Sequence, residues 1–443
     1  MLRKSKFSFI GFITSVCLIT SLLASCNTTS SNNKQVNSNS KDNNEVTTTL
    51  NILISDVADN SGFRAVIEEI EKELNIKTNV ELRPGGPEGV NVVKTRLATG
   101  GIPDLVVYNS GSLLMALNPG KHFVDMASEP YIDQVLDSYK EVVSDQEKIF
   151  GIPIQSSQVG AWFYNKKVYK ELGLSVPRTW DELRENNEKI KDSGRTAVIG
   201  TYGELWTSQL PILADYYNLQ AEEQNFADEY TAGKAKFATT DSALRGFERI
   251  QEIAESGYMN EDYTVATYDQ GMQLLAEGNG VHYPMLAQFL PLLAEKYPDK
   301  INDIGVFPQP SDNADINGLT VWMPDAILIS KESPNVDAAK KWMEFFVSKK
   351  GIEIYESKQK SVGPSVMEGV EIPEDAYEAV KDMAKYFEEG KVAPALEFAS
   401  PIKGPNLAQL CTSVGSGTMT ALEAAKSYDK DVEKQAKQLG IKW

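Results

Sequence analysis

Histidine and cysteine are scarce in this chain, and their scarcity removes whole classes of chemistry. The two histidines, His122 and His282, are far apart and in dissimilar surroundings. They form no HxxxH or HExxH pair, which argues against a zinc hydrolase. The three cysteines are Cys17 and Cys26 near the start and Cys411 near the end. They allow no disulfide framework in a mature fold and no CxxC metal or redox pair. There is no GxSxG elbow for a nucleophilic serine, and Gly85-Gly86 lacks the Lys and Ser or Thr of a phosphate loop. Carboxylate pairs for glycoside hydrolysis can be drawn anywhere among 62 acidic residues, so they carry no diagnostic weight. Basic residues are the minority charge, 44 against those 62, for a net charge of -18. Such acidity repels nucleic acid and anionic lipid and keeps a surface protein soluble. Nucleic-acid binding is excluded, and nothing calls for a cofactor or a metal.

What is present starts with a leader. Arg3, Lys4 and Lys6 give a positive start, Phe7 to Leu23 form an uncharged and mostly apolar core, and Leu23-Ala24-Ser25-Cys26 closes it. This is the layout of a secretory signal, and its last four residues resemble a bacterial lipobox. That resemblance implies acylation of the Cys26 thiol and removal of residues 1–25. A spanning anchor is the alternative, but the core is slightly short for a span of ~20 residues. Residues 26–48, rich in Asn, Ser and Thr, cannot bury enough surface to fold and read as a disordered tether. At ~3.3 Å per residue such a tether reaches roughly 70 Å. The expected location is the outer face of a cell membrane, touched only through the lipid on Cys26, in a host of Gram-positive type.

About 395 residues follow, enough for two or three domains at ~150 residues each. Leu50–Ile54 reads as a strand. Phe63, Val66, Ile67, Ile70 and Leu74 then mark one helical face. Thr78–Leu82 and Asp104–Tyr108 read as further strands, with a helix after Pro87 between them. That alternation predicts an α/β layer with a mostly parallel sheet, whose strand-end loops hold ligand. Thr179-Trp-Asp-Glu182 and Thr420-Ala-Leu-Glu423 read as capping boxes that start helices. Ala326–Ser330 reads as a buried strand followed by a helix over 336–347. Tyr216-Tyr217 is either a helical pair, one ring buried and one exposed, or a pair of phenolate iron ligands.

Several blocks, in order, resemble the extracellular solute-binding proteins of carbohydrate ABC transporters. They are Leu97-Ala-Thr-Gly-Gly-Ile-Pro-Asp104, Phe150-Gly-Ile-Pro153, Trp162-Phe-Tyr-Asn-Lys166 and Gly173 to Leu183. Ala276-Glu-Gly278, Ile304-Gly-Val-Phe-Pro308 and Ser333-Pro-Asn335 with Ala338 to Trp342 complete the series. The resemblance implies a two-lobed, periplasmic-binding-protein-like (type II) α/β fold with three interlobe crossings and a central ligand cleft. By position the crossings are expected near Gln155–Gln158, Val306–Gln309 and Gln359–Pro364. Lobe 1 is then 48–155 with 309–358, and lobe 2 is 156–308 with 359–443. The implied function is a monomeric receptor, not an enzyme, that closes on a sugar by hinge motion and delivers it to membrane permease subunits.

A pyranose offers an apolar C–H face to aromatic rings and a hydroxyl rim that needs paired donors and acceptors. On lobe 1, the family resemblance places a stacking aromatic at Tyr108, beside Asn109 and Ser110. Asp56 and Asp59 occupy the first strand-end loop, as ligand contacts or as turn residues. Gln158 falls where a family member carries a sugar-contacting acid, and Glu204 with Trp206 aligns with a sugar-contacting Glu-x-aromatic pair. Tyr283 and Trp322 are further candidates. Plain packing is the alternative for each aromatic. The family's late lobe-2 tryptophan has no counterpart, and only Phe398 stands near it. A secreted carbohydrate-active enzyme and a same-fold receptor for iron or polyamine stay open as rivals.

Overall fold

Phe63, Val66, Ile67 and Ile70, spaced for one helical face, are all buried along the Ser61–Leu74 helix. That helix stops at Asn75, whose left-handed backbone turns its N–H onto the Glu71 carbonyl. The structure is a computed structural model describing residues 47–56 and 60–443. Cys26, the leader, most of the tether and Asp59 lie outside the described residues.

In chain order, β1 (Thr48–Ser55), β2 (Ile76–Arg83) and β3 (Leu105–Tyr108) alternate with the Ser61–Leu74 and Gly86–Thr99 helices. A small hairpin of β4 (Ser144–Asp145) and β5 (Lys148–Ile149) precedes β6 (Gly151–Pro153). Next come β7 (Gln158–Asn165), β8 (Thr196–Val198), β9 (Gly280–Leu286), β10 (Ile304–Phe307) and β11 (Leu319–Trp322). The last two are β12 (Ala326–Ile329) and β13 (Val392–Pro394). They form two principal sheets, ordered β2-β1-β3-β12-β6 in lobe 1 and β13-β11-β7-β9-β8 in lobe 2. The expected parallel pairing holds at β2-β1-β3 in lobe 1 and at β11-β13 and β8-β9 in lobe 2. β12 is antiparallel to both of its neighbours, and β7 is antiparallel to β9, β10 and β11.

Packing follows from these pairings. Residues of β3 and β12 are buried on both faces, as strands covered by helices on both sides must be. Successive residues of β7 point to opposite faces, so Trp162 and Phe163 enter different clusters. Trp162 packs with Trp180 and Phe307, and Phe163 with Met272 and Leu290. The Pro-Asp pair that enters β3 is structural. Buried Asp104 accepts from the Asn51 N–H (2.8 Å) and the Ser333 hydroxyl (2.6 Å), tying β1 to the turn after β12.

The crossings correct the expected lobe boundaries. The first runs through 154–157, between β6 and β7. The second is at Met323–Asp325 instead of Val306–Gln309. Pro308 and Pro310 end β10, but the chain after them stays on lobe 2. Trp180 N–H donates to the Ser311 carbonyl (2.8 Å), Arg245 Nε donates to Asp312 (2.8 Å), and β11 pairs with β7 and β13. Residues 309–322 therefore belong to lobe 2. The third crossing follows the helix that ends at Lys358 and is longer than the stretch Gln359–Pro364. Val362 enters the lobe-2 core. The chain then returns to lobe 1, where Leu136 N–H donates to the Val366 carbonyl and Glu368 N–H to that of Gln134.

Thr420 and Glu423 form the expected reciprocal cap. At Thr179 only half of it forms. The hydroxyl accepts from Glu182 N–H, but the Glu182 carboxylate takes the Arg178 N–H. The pair Tyr216-Tyr217 opens a helix, with Tyr216 buried and the Tyr217 ring lying over Gly318.

His282 is fully buried in lobe 2, with Nδ1 2.8 Å from Asn187 Oδ1 and Nε2 2.5 Å from the Tyr169 hydroxyl. Burial pushes its pKa down to about 3, so the ring folds neutral. An unfolded histidine, with a pKa of about 6.5, binds a proton that the folded one refuses. The stability from the neutral ring is therefore full above pH 6.5 and falls as pH drops towards 3. Replacing His282 by Gln is expected to cost stability at pH 7.5, with the gap to the parent narrowing as pH falls to 4.5. Thermal melts across that range read the gap, and a constant gap would show that the ring is not held neutral.

Candidate ligand cleft

Strand direction decides which loops meet. In lobe 1, the carboxyl ends of β1, β2, β3 and β6 and the amino end of β12 share one sheet edge. In lobe 2, the amino end of β7 and the carboxyl ends of β8, β9, β11 and β13 do the same. The crossings from β6 to β7 and from β11 to β12 join these edges, so the two rows of strand-end loops face one another across the hinge. The lobe-1 row contains Asp56, Arg83, Tyr108–Ser110 and Asp325. The lobe-2 row contains Gln158, Glu204–Trp206, Gln288, Trp322 and Glu397–Phe398. Of the expected site residues in the described part, only Tyr283 is inside a strand rather than at this edge.

On lobe 1 the polar groups are mostly committed to each other. Asp56 is exposed, and its N–H donates to the Arg83 carbonyl (3.0 Å). Arg83 is 4% exposed and donates to the carbonyls of Pro84 (3.1 Å) and Val107 (3.2 Å). Its guanidinium stands over the Tyr108 ring. That ring has no exposed surface, so the expected stacking role for Tyr108 does not fit; burial also pushes its hydroxyl pKa up. Ser110 spends its hydroxyl on the Pro324 carbonyl (2.9 Å), pinning the end of β3 to the second crossing instead of offering it to ligand. Asn109 is only partly buried, and its amide nitrogen donates to Asp325 Oδ1 (3.1 Å). Burial holds the Asp325 carboxyl above the usual carboxylate range. The Arg83 charge opposes that shift, and the Glu397 charge adds to it.

On lobe 2, Gln158 Oε1 accepts the Gln288 N–H (3.0 Å), and Gln158 sits opposite Trp322 in register. One face of the Trp322 indole lies on Gly160, where a Cβ would come within 2.5 Å of the ring. Its Nε1–H donates to the Glu397 carboxylate, which also holds Lys403. Glu204 accepts the Tyr268 N–H (2.8 Å) at a helix start. Trp206 remains partly exposed, its ring tilted against Tyr268 with centroids 5.6 Å apart. Tyr283 is corrected to a core residue, with 1% exposure and its hydroxyl 3.0 Å from that of Thr201. A mostly apolar pocket that includes Glu397 is lined by Ile212, Leu219, Phe237 and Tyr428, with Asp215, Ser242 and Lys403 among its polar groups.

Arg83, Asp325, Gln288 and Glu397 were not singled out from sequence. Arg83 ends β2 and Asp325 directly precedes β12, so strand-end position was the available signal. For Glu397 there was only its neighbour Phe398.

The lobes also touch directly. Gly111, with φ 69° and ψ -142°, occupies a backbone region that suits glycine alone. A Cβ there would lie 2.6 Å from Phe398 Cδ1 and 2.8 Å from the Glu397 carbonyl. Gly111→Ala is expected to cost ~1–3 kcal/mol in backbone strain and to push the lobes apart. Melting should report the first effect and a larger radius of gyration in X-ray scattering the second. An unaltered radius would mean that this contact does not hold the lobes.

Residues 55–353 match the family model for bacterial extracellular solute-binding proteins. The multiple sugar-binding protein of Streptococcus mutans is 27% identical over 357 residues, spanning 78% of this chain and 80% of that one. Among solved structures, a chitin oligosaccharide binding protein superposes with a TM-score of 0.76 at 16% identity, over 88% of this chain and 100% of its own. RafE in complex with raffinose gives 0.73 at 20% identity, over 90% and 100%. A Bacillus licheniformis sugar transporter in complex with stachyose gives 0.71 at 17% identity, over 87% and 100%. The structural likenesses cover 87–90% of this chain, so the cleft described above sits in the two-lobed fold those receptors share. The chain belongs to the bacterial extracellular solute-binding proteins.

Proposed function

We propose that this receptor captures an oligosaccharide between the two strand-end rows, closes around it by hinge motion, and presents it to an ABC permease. The observation that carries this reading is the convergence of both rows on one cleft, with partly exposed Trp206 and the amides of Asn109 and Gln158 among them. A sugar needs that mixture of aromatic surface and paired polar groups. The structural neighbours with raffinose and stachyose favour an oligosaccharide over a monosaccharide. As a transport receptor of its family the protein is not an enzyme, and it works without covalent chemistry. Hinge closure needs only that the ligand bind the closed form better than the open one.

A thermal-shift panel of neutral glycans tests the reading. One of them should raise the melting temperature without being cleaved, and turnover of that glycan would sink the receptor assignment. Trp206→Ala should weaken binding of the same glycan by about tenfold or more, as losing aromatic contact of ~1.5 kcal/mol implies. The unliganded melting point should change little. Full retention of affinity would remove Trp206 from the site.

The membrane attachment is part of the same proposal. A lipid on Cys26 and a tether through residue 48 would keep a monomeric receptor near its permease on the outer face of the cell. The support is the leader's charge pattern and the Leu-Ala-Ser-Cys junction. Cys26→Ser is expected to move the protein from the membrane fraction into the medium or leave it unprocessed. Membrane retention of a correctly processed C26S chain would overturn the lipid anchor.

A further inference from the structure

We propose that Asp325 is a specificity-determining carboxylate that reads ligand hydroxyls, and that with Glu397 it makes the cleft favour neutral or amino sugars over uronic-acid sugars. The inference rests on the sugar-receptor reading and names the substrate class of that same cleft.

Asp325 is the last residue of the second crossing and opens towards both strand-end rows. Its position is fixed on every side. Its own carbonyl accepts the Ile154 N–H (3.1 Å) and the Tyr139 hydroxyl (3.3 Å), while the preceding Pro324 carbonyl accepts from Ser110. Asn109 fixes the carboxylate through Oδ1, and Asp325 as a residue is only partly buried. A carboxylate held rigidly at the joint of two lobes is a preorganised acceptor for hydroxyl or ammonium donors.

The surrounding charges set the sign. Among the described residues, no Lys, Arg or His nitrogen lies within ion-pair distance of Asp325. Arg83, the cation whose field reaches it, is buried behind the edge and donates two nitrogens to backbone carbonyls. Lys403 is held by Glu397. The groups around Asp325 are thus Arg83 from β2, Tyr108 from β3 and Asn109 just after it, Tyr139 from the Asp137–Val142 helix, and Glu397 from lobe 2. A neutral pyranose can donate its hydroxyls to the two carboxylates. A uronate adds a further negative charge to those of Asp56, Glu204, Asp325 and Glu397, in a cleft where Arg83 is turned to backbone carbonyls and Lys403 to Glu397, and like charges in a partly desolvated site repel strongly.

Calorimetric titration of the mature chain tests this with raffinose, maltotriose and xylotriose as neutral probes and a glucosamine trimer as the amino probe. Trigalacturonate and raffinose oxidised to the C6 carboxylate serve as anionic probes. The expected result is binding confined to neutral or amino members, with the anionic counterpart weaker by about tenfold or more. Asp325→Asn keeps the size and the Asn109 contact. It should lose about tenfold for the best neutral probe, the scale of a hydrogen bond to a charged group, and narrow the neutral-to-anionic gap, while the melting point confirms folding. Trigalacturonate binding as tightly as the neutral probes, or an Asp325→Asn variant with unchanged preference, overturns the proposal. If no sugar of any charge binds, the receptor reading fails first and takes this inference with it.

Discussion

The three crossings are hydrogen-bonded to one another, and the geometry of the cleft depends on that. Ile154 N–H meets the Asp325 carbonyl, Ser157 gives both its N–H and its hydroxyl to the Pro364 carbonyl, and Val362 N–H reaches the Ser156 hydroxyl. Three strands of chain that could each bend independently are thereby tied into one hinge. Buried backbone groups must be paired, and here they pair across crossings instead of within either lobe. The lobes can therefore move about a common axis without losing register at their facing edges. Every candidate ligand contact is inherited from that alignment.

Much of lobe 1 was legible because its elements are locally consistent. The 3.6-residue spacing of Phe63 to Ile70 and the apolar β-branched run of β1 each specify their own structure. The second crossing was not legible, because it depends on which strand β11 chooses as neighbour. Prolines at 308 and 310 mark the end of β10 but say nothing about where the chain goes next. The half-formed cap at Thr179 fails for a related reason. Trp180 N–H is bonded to Ser311, a partner from a distant segment, and that tertiary contact sets the entry angle of the helix.

The site divides along the same line. Sequence position identifies strand ends, so Asp56, Asn109, Gln158 and Trp322 fall on the cleft edge. Whether a ring at a strand end faces ligand or core depends on the helices packed beneath it, and Tyr108 turns inward, while Tyr283 is set within β9 and belongs to the core. Arg83 acts through the carbonyls and ring it holds and Glu397 through the Lys403 it neutralises, properties of three-dimensional neighbours that no local pattern encodes. Glu397 is one acid among 62 until the fold lays it against Trp322 and Lys403.

The contact of Gly111 with Phe398 separates two properties that receptors of this kind must set independently. It is made by protein alone, so its strength shifts the open–closed balance equally for every ligand. A change at Phe398 would scale all affinities together, whereas a change at Asp325 would alter their ratios. Gain and discrimination are thus held by different residues on opposite lobes. A lineage could retune how strongly this receptor holds its cargo without altering which cargo it prefers.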